Sequence, residues 1–250
     1  MKFILENLIG IVSITILTLN TIILSCLLIP LGLIKFFLPI TNIKVLFTKF
    51  IINIGELWIF TNKIWVKALH KPNWEVIGKE NIKSNGWTIA TSNHQSFADI
   101  FLLQDITNMK MPMLKFFMKY VLIYVPIIGL SWWALDMPFL KRYTKKQLEK
   151  NPKLVGKDVK EMKRALKHYS LYPVTVFSFA EGTRFTVKKH QNQNSPFDNL
   201  LKPKEGGLAT ALSLVNKIDS LIDFTIKFDS QKRSFWAVSY THLTLPTTLV

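Results

Sequence analysis

Trp87-Thr88-Ile89-Ala90-Thr91-Ser92-Asn93-His94-Gln95-Ser96-Phe97-Ala98-Asp99-Ile100 is the stretch on which the fold turns. An apolar, β-branched run ends in polar residues and gives way to an apolar, helix-forming segment. A strand leading through a polar turn into a helix is the repeating unit of an α/β sheet, and ligands of such sheets gather at the carboxyl ends of the strands. His94 stands at that end. An imidazole has an unperturbed pKa of about 6.5, so it can take a proton from an alcohol near neutral pH. A carboxylate on its second nitrogen would fix the tautomer, and Asp99 is the nearest candidate. The same spacing also reads as a capping box, because Ser96 is followed three residues later by an acid ahead of an apolar run. Taken alone, the cap is the commoner source of such a pattern.

A second segment, Val174-Thr175-Val176-Phe177-Ser178-Phe179-Ala180-Glu181-Gly182-Thr183-Arg184-Phe185, closes a β-rich run with an acid, a glycine, a hydroxyl and an arginine. A turn of this kind can offer backbone donors, a hydroxyl and a guanidinium to a phosphate, or it can be an ordinary strand-to-loop turn. A third place to hold an anion is Phe139-Leu140-Lys141-Arg142, at the end of another apolar run. Outward from these segments, short β-rich runs predict strands over 74–78, 87–92, 132–140, 174–180 and 223–228. Helical patterns fall over 97–107, 114–124, 144–149, 157–169 and 204–216. Strands alternating with helices predict an α/β domain with a mixed, mostly parallel sheet flanked by helices.

The front of the chain has another grammar. No charged residue occurs over 8–34, and about 20 apolar residues suffice to cross a bilayer as a helix. A cleaved signal would have a shorter apolar core of about 7 to 15 residues followed by a small-residue site, whereas Pro30, Gly32 and Lys35 follow here. The segment therefore reads as an uncleaved anchor, and Pro30 and Pro39 leave open a bent or re-entrant hairpin. Lys35, Lys44 and Lys49 after it place the remainder on the cytoplasmic side by the positive-inside rule. Over 43–69, Lys49, Asn53, Glu56, Lys63 and Lys67 share one helical face. Phe47, Phe50, Ile51, Ile54, Leu57, Trp58, Trp65 and Leu69 lie opposite, as in a helix lying in a membrane interface or packed on a domain core. The expected fold thus carries an N-terminal membrane-anchoring helical module.

Lys and Arg outnumber Asp and Glu by 32 to 16, giving a formal charge of +16 that must attract polyanions. Eleven of these cations fall between Lys141 and Lys167 against Glu149, Asp158 and Glu161, which reads either as a solvated face or as a face held against an anionic membrane surface. The single cysteine, Cys26, excludes an intramolecular disulfide and any cysteine-built metal site. Neither a His-Glu-x-x-His metal motif nor a glycine-rich nucleotide loop occurs.

Together the segments resemble the glycerolipid acyltransferase family typified by 1-acylglycerol-3-phosphate O-acyltransferase, over about Trp74 to Phe228. The Asn-His-x4-Asp signature stands as Asn93-His94 and Asp99, and the Phe-Pro-Glu-Gly-Thr-Arg signature as Phe179-Ala180-Glu181-Gly182-Thr183-Arg184. The family's middle block looks like Lys119, Pro126, Gly129 and Arg142. In phrasing the chain is most similar to a branch of bacterial inner-membrane proteins described as probable acyltransferases. Ala180 replaces the usual proline, and the last predicted strand lacks the family's Val-Pro pair.

The resemblance implies an enzyme that moves a fatty acyl group onto a lysophospholipid hydroxyl. His94 would be the general base and Asp99 its orienter, with Arg142 and Arg184 holding the acceptor phosphate and Glu181, Gly182 and Thr183 shaping its site. It implies no cofactor and no metal, since acyl-CoA or acyl-carrier protein brings an activated thioester as co-substrate. The implied partners are the lysophospholipid acceptor, the acyl donor and an anionic membrane surface, with no nucleic acid. The implied place is the bacterial inner membrane, with the catalytic part in the cytoplasm. The expected division is an anchor and interfacial helix over 1–70, an acyltransferase domain over 71–237 and an atypical tail over 238–250, whose composition breaks with what precedes it. Two rival readings stand beside this one. A membrane-tethered hydrolase would use Ser96 or another serine, although Gly129-Leu-Ser131 is only half of a Gly-x-Ser-x-Gly elbow. A non-enzymatic basic protein binding lipid or nucleic acid would explain the charge but not the two polar strand ends.

Overall fold

The computed structural model describes residues 2–70, 75–82, 85–141, 143, 145–154, 156–215 and 217–228. Two long helices come first, α1 at Lys2–Phe37 and α2 at Thr41–His70. The uncharged run explains α1, which over Asn7–Phe37 is long and apolar enough, by length and composition, to cross a membrane. Pro30 lies within α1 without ending it. The helices pack against each other as a hairpin whose seam is partly polar. Ser13 Oγ lies 2.9 Å from His70 Nε2, Asn20 Nδ2 donates to Asn62 Oδ1 at 2.9 Å, and Trp58 Nε1 donates to Thr21 Oγ1 at 3.1 Å.

The polar face read in α2 turns toward the sheet domain. Lys63 Nζ meets Asp105 Oδ1 at 2.6 Å, while Phe50, Leu57, Phe60 and Ile64 stay exposed. The helix thus packs on the domain through its charges and its buried stripe of Ile51, Gly55, Ile59 and Val66.

The domain follows as β1 (Thr88–Ser92), α3 (Ala98–Thr107), β2 (Leu114–Phe116), β3 (Met118–Lys119), α4 (Ile128–Ala134) and β4 (Phe139–Leu140). It continues with α5 (Lys145–Lys150), α6 (Lys157–Leu166), β5 (Thr175–Phe179), α7 (Val187–Gln193), α8 (Glu205–Leu214) and β6 (Ser220–Phe224). The main sheet runs β2-β5-β1-β6 and every pairing in it is parallel, with Thr88 opposite Thr175 and Ser220. β1 is buried along its whole length, as a parallel strand covered on both faces must be. Alternate residues serve opposite layers. Ala90 and Phe177 pack with Leu102, Leu103 and Ile106 of α3, whereas Ile89 and Val176 pack with Met162 and Leu166 of α6 and Ala211 of α8. A third cluster, with Leu28, Ile51, Ile59, Met113 and Leu135, joins the hairpin to the domain.

The sheet and its flanking helices agree with the predicted class, and four segments differ from their predicted form. Residues 114–124 form β2, β3 and a 3-10 turn at Tyr120–Tyr124 instead of a helix. Pairing with β5 takes precedence there, and the fully buried Lys115 donates to the Leu135 carbonyl at 2.6 Å. Over 132–140, α4 occupies the start and only β4 is a strand. α4 packs on α1, with Ser131 Oγ donating to Ser25 Oγ at 2.8 Å, and Asp136 then turns the chain at φ 55°. Residues 75–78 carry no strand, and Trp74 lies outside the described residues. The last strand starts at Ser220 and ends at Phe224, earlier than 223–228, because the Asn93 amide takes both backbone groups of Ile226 at 2.7 and 2.8 Å and stops the ladder. α7 was not foreseen, and the tail expected over 238–250 lies outside the described residues.

Lys35, at the end of α1, donates to the Ala134 carbonyl at 2.7 Å and pairs with Asp136 Oδ1 at 2.8 Å. Tyr172 donates to Asp136 Oδ2 at 2.8 Å, and Tyr169 donates to the Asp136 carbonyl at 2.6 Å. One buried turn therefore fastens the apolar hairpin to the sheet domain.

Candidate active site

β1 and β5 are neighbours, so the two polar strand ends picked out in the sequence emerge side by side. Ser92 lies in register with Phe179, and the Ala180 N–H donates to the Ser92 carbonyl at 3.0 Å. The following turns then interlock, since the Phe185 N–H donates to the His94 carbonyl at 2.7 Å. The parallel register of the two strands thus brings Asn93-His94 beside Glu181-Gly182-Thr183-Arg184.

His94 Nδ1 lies 2.8 Å from Asp99 Oδ2, with the Asp99 side chain fully buried and the His94 side chain 14% exposed. The same carboxylate oxygen accepts the Gln95 N–H at 2.7 Å and the Ser96 N–H at 2.9 Å. Orienting the imidazole and closing the first turn before α3 are therefore one arrangement, and the two readings of Asp99 are both present. The ring stacks on Phe179 with centroids 3.8 Å apart and planes 12° from parallel. Among the described residues nothing bonds Nε2. With Nδ1 committed to a carboxylate and the ring held between Asp99 and Phe179, Nε2 is the nitrogen left to exchange a proton.

Glu181 faces inward. Its Oε1 accepts the His94 N–H at 2.9 Å and its Oε2 accepts the Leu201 N–H at 2.8 Å, so a buried carboxylate joins the His94 turn to the chain entering α8. Gly182 has φ 67°, a left-handed conformation that a β-carbon would strain, and the half-buried Thr183 and Arg184 follow this sharp turn. The Arg184 guanidinium lies 3.9 Å over the Phe97 ring, within the His94–Asp99 loop, and makes no ion pair among the described residues. Arg142 lies outside the described residues; beside it, Lys141 Nζ sits 4.1 Å over the Tyr120 ring. Ser96 is fully buried and its Oγ accepts the Ala98 N–H at 3.2 Å.

Sequence reading quoted Asn93 and Phe179 within the two signatures without giving them a role, and it missed Lys189. Asn93 closes the β6 edge, and Phe179 supplies the plane for the imidazole. Lys189, on α7, donates to Thr183 Oγ1 at 2.8 Å and to the Arg184 carbonyl at 2.9 Å. Lys189 lies in a short lysine-rich run with no feature that marks one lysine from the next.

A family model described as Acyltransferase matches residues 73–226. The 1-acyl-sn-glycerol-3-phosphate acyltransferase delta of Bos taurus is 33% identical over 125 residues, covering 46% of this chain and 30% of that protein. The protein of the same name from Homo sapiens matches with the same identity and the same shares. The chain thus matches less than a third of the length of these curated relatives. The crystal structure of the 1-acyl-sn-glycerophosphate (LPA) acyltransferase, PlsC, from Thermotoga maritima has the same fold, with a TM-score of 0.51 and 18% identity over 100% of this chain and 86% of that one. The family match takes in both interlocked strand ends together with the sheet that positions them, and the chain belongs to the acyltransferase family.

Proposed function

We propose that the protein transfers a fatty acyl group from a thioester donor, acyl-CoA or acyl-carrier protein, to the free hydroxyl of a lysophospholipid of the lysophosphatidate type. The observation that carries this reading is the His94–Asp99 contact of 2.8 Å, with Nε2 unbonded among the described residues and Arg184, without an ion pair among them, on the adjoining turn. His94 Nε2 takes the proton of the acceptor hydroxyl as its oxygen attacks the thioester carbonyl. The tetrahedral intermediate then expels the thiolate, which takes that proton from the imidazolium. The products are an ester and a free thiol, and His94 ends as it began. Asp99 holds the ring and offsets the imidazolium charge, while Arg184, with Arg142, holds the acceptor phosphate.

Transfer is direct in this scheme. Ser96 is fully buried, with its Oγ accepting the Ala98 N–H at the turn before α3, and a buried serine there speaks against a serine nucleophile and against the hydrolase reading. The enzyme works at the inner membrane of a bacterium with the domain facing the cytoplasm. α1 supports a membrane location by its length and apolarity, and the lysines after it support that orientation. The test incubates membranes carrying the full chain with a panel of lysophospholipids and each thioester donor, reading products by mass. Formation of a diacyl product that His94→Ala abolishes, by about 10² to 10⁴ or more in rate, is the expected result. Free fatty acid without an acylated lipid would instead establish a hydrolase.

A further inference from the structure

Lys189 and Arg184 form an unbalanced pair of cations on the turn that adjoins His94. A few cations elsewhere meet carboxylates: Lys35 pairs with Asp136, Lys63 with Asp105 and Lys141 with Glu161. Lys189 makes no ion pair among the described residues, and neither does Arg184. The nearest acid in sequence, Glu181, is committed to the His94 and Leu201 N–H groups. The Lys189 ammonium is held to the same turn, donating to Thr183 Oγ1 at 2.8 Å and to the Arg184 carbonyl at 2.9 Å. An anion at this turn would supply the counter-charge that both cations lack.

An ammonium has three N–H donors, so one of Lys189's remains after these two bonds. Its bond to Thr183 has a second effect. With Lys189 donating to Oγ1, the Thr183 O–H is left to donate outward. The turn therefore offers the Arg184 fork, one ammonium N–H and one hydroxyl, all tied to the His94 loop through the Phe185 N–H and the Arg184–Phe97 stack.

Resting on the acyl-transfer reading, we propose that Lys189 is a further, specificity-determining cation of the acceptor site beside the arginines, selecting a phosphomonoester headgroup over a phosphodiester. A phosphomonoester carries about −1.5 to −2 at neutral pH, whereas a diester carries a single charge. A further cation adds most affinity where the extra charge meets it.

The test uses the full chain in detergent micelles or vesicles, with 1-acylglycerol-3-phosphate and 1-acylglycerophosphoglycerol as the two acceptors. Lys189→Met should raise the KM for the monoester about 10- to 100-fold, as expected for losing one hydrogen bond to a charged group. The diester KM should move less than about 3-fold, and the donor KM should not change. Lys189→Arg, which keeps the charge, should retain the preference for the monoester. Should the Met variant fail to fold, Lys189→Gln, neutral but still a donor, carries the same comparison. Equal losses on both acceptors, or a fall in kcat at unchanged KM, would make Lys189 a prop for the loop and overturn the proposal. Binding of sn-glycerol 3-phosphate, measured by calorimetry without any acyl donor, separates the two levels of inference. Binding that depends on Lys189 in a protein that transfers nothing would sink the transfer reading and keep the site. Transfer to the monoester that ignores Lys189 would do the reverse.

Discussion

Replacing Asp99 by Asn separates the two duties that its Oδ2 performs. That oxygen meets His94 Nδ1 at 2.8 Å, the Gln95 N–H at 2.7 Å and the Ser96 N–H at 2.9 Å. An amide oxygen in the same place can still accept, so the turn before α3 survives. What disappears is the charge. Charge-assisted hydrogen bonds are roughly twice as strong as neutral ones, so the exchange costs about 1 kcal/mol for each of the three bonds. The folded state should lose about 2 to 3 kcal/mol, or roughly 4 to 12 °C in Tm for a chain of this size.

Catalysis should suffer far more, because the imidazolium formed during proton transfer loses its counter-charge. Two unit charges about 4 Å apart interact by about 4 kcal/mol at an effective dielectric constant of about 20. At 1.36 kcal/mol per factor of ten this limits the loss to about 10³ in kcat. The expected result is therefore kcat lower by about 10² to 10³, acceptor and donor KM nearly unchanged, and a Tm drop of no more than about 12 °C. Initial rates with saturating donor, read beside a thermal melt of the same preparation, give both quantities. A variant that melts early yet keeps activity within about 3-fold of the parent would show that Asp99 only closes the turn. Ser96→Ala is the matching control. It removes the hydroxyl that accepts from Ala98, at a cost of roughly 0.5 to 2 kcal/mol, and leaves the His94 contact in place, so it should keep most activity.

Arg184→Lys should raise the KM of the phosphorylated acceptor more than that of the donor, since an ammonium loses both the bidentate fork and the stack on Phe97; equal effects in steady-state kinetics would remove Arg184 from the acceptor site. Glu181→Gln turns one of two buried acceptors into a donor facing a backbone N–H, so a melt should show a loss of about 1 to 3 kcal/mol, and an unchanged Tm would mean the bonds to His94 and Leu201 hold nothing. Burial pushes the Lys115 ammonium down to about 8, although Asp136 favours its charged form. Between about pH 8 and about 10.4 the unfolded chain binds the extra proton, so stability rises with pH across that window, by up to about 3 kcal/mol. Above about pH 10 the gain turns over, because burial holds the Tyr169 and Tyr172 hydroxyls well above their ordinary range and ionisation favours the unfolded chain. In Lys115→Met, denaturant titrations should lose the rise, and a rise that persists would place its origin elsewhere.

The parts of the fold legible in the sequence were those whose signal is local. β1 and β5 announce themselves as β-branched and aromatic runs ending in polar residues, and α1 as a stretch without charge. Residues 114–124 were misread because an apolar run with lysines at 115 and 119 fits a helical period, while its true form depends on β5 and on a carbonyl twenty residues away, at Leu135. The end of β6 was equally hidden. It is set by Asn93, an amide 133 residues earlier, and no local pattern near Ile226 encodes it. In the site, spacing made Asp99 a candidate partner of His94 but more readily a helix cap, and it was the resemblance of the two motifs to the acyltransferases that favoured the pair. Lys189 had no such signal, because its value comes from which groups its ammonium reaches.

The apolar hairpin shows the same division between what composition states and what contact decides. Hydropathy averages α1 over its circumference and reports a helix fit to span. Four of its polar residues, however, fall along one side, and each meets a partner: Ser13 meets His70, Asn20 meets Asn62, Ser25 meets Ser131 and Lys35 meets Asp136. Leu8, Ile11, Leu19, Ile23, Leu27 and Ile34 lie exposed on the other side. A helix built to be surrounded evenly by lipid would gain nothing from that row of polar groups, since each costs free energy to bury unless it is bonded. The seam therefore fixes the rotation of α1 about its own axis. Because Lys35 ends on the Asp136 turn that also holds Tyr169 and Tyr172, that rotation is locked to the sheet carrying His94. Which face of the helix looks outward and where the His94 imidazole stands are thus one structural decision, made by a few polar contacts that hydropathy cannot see.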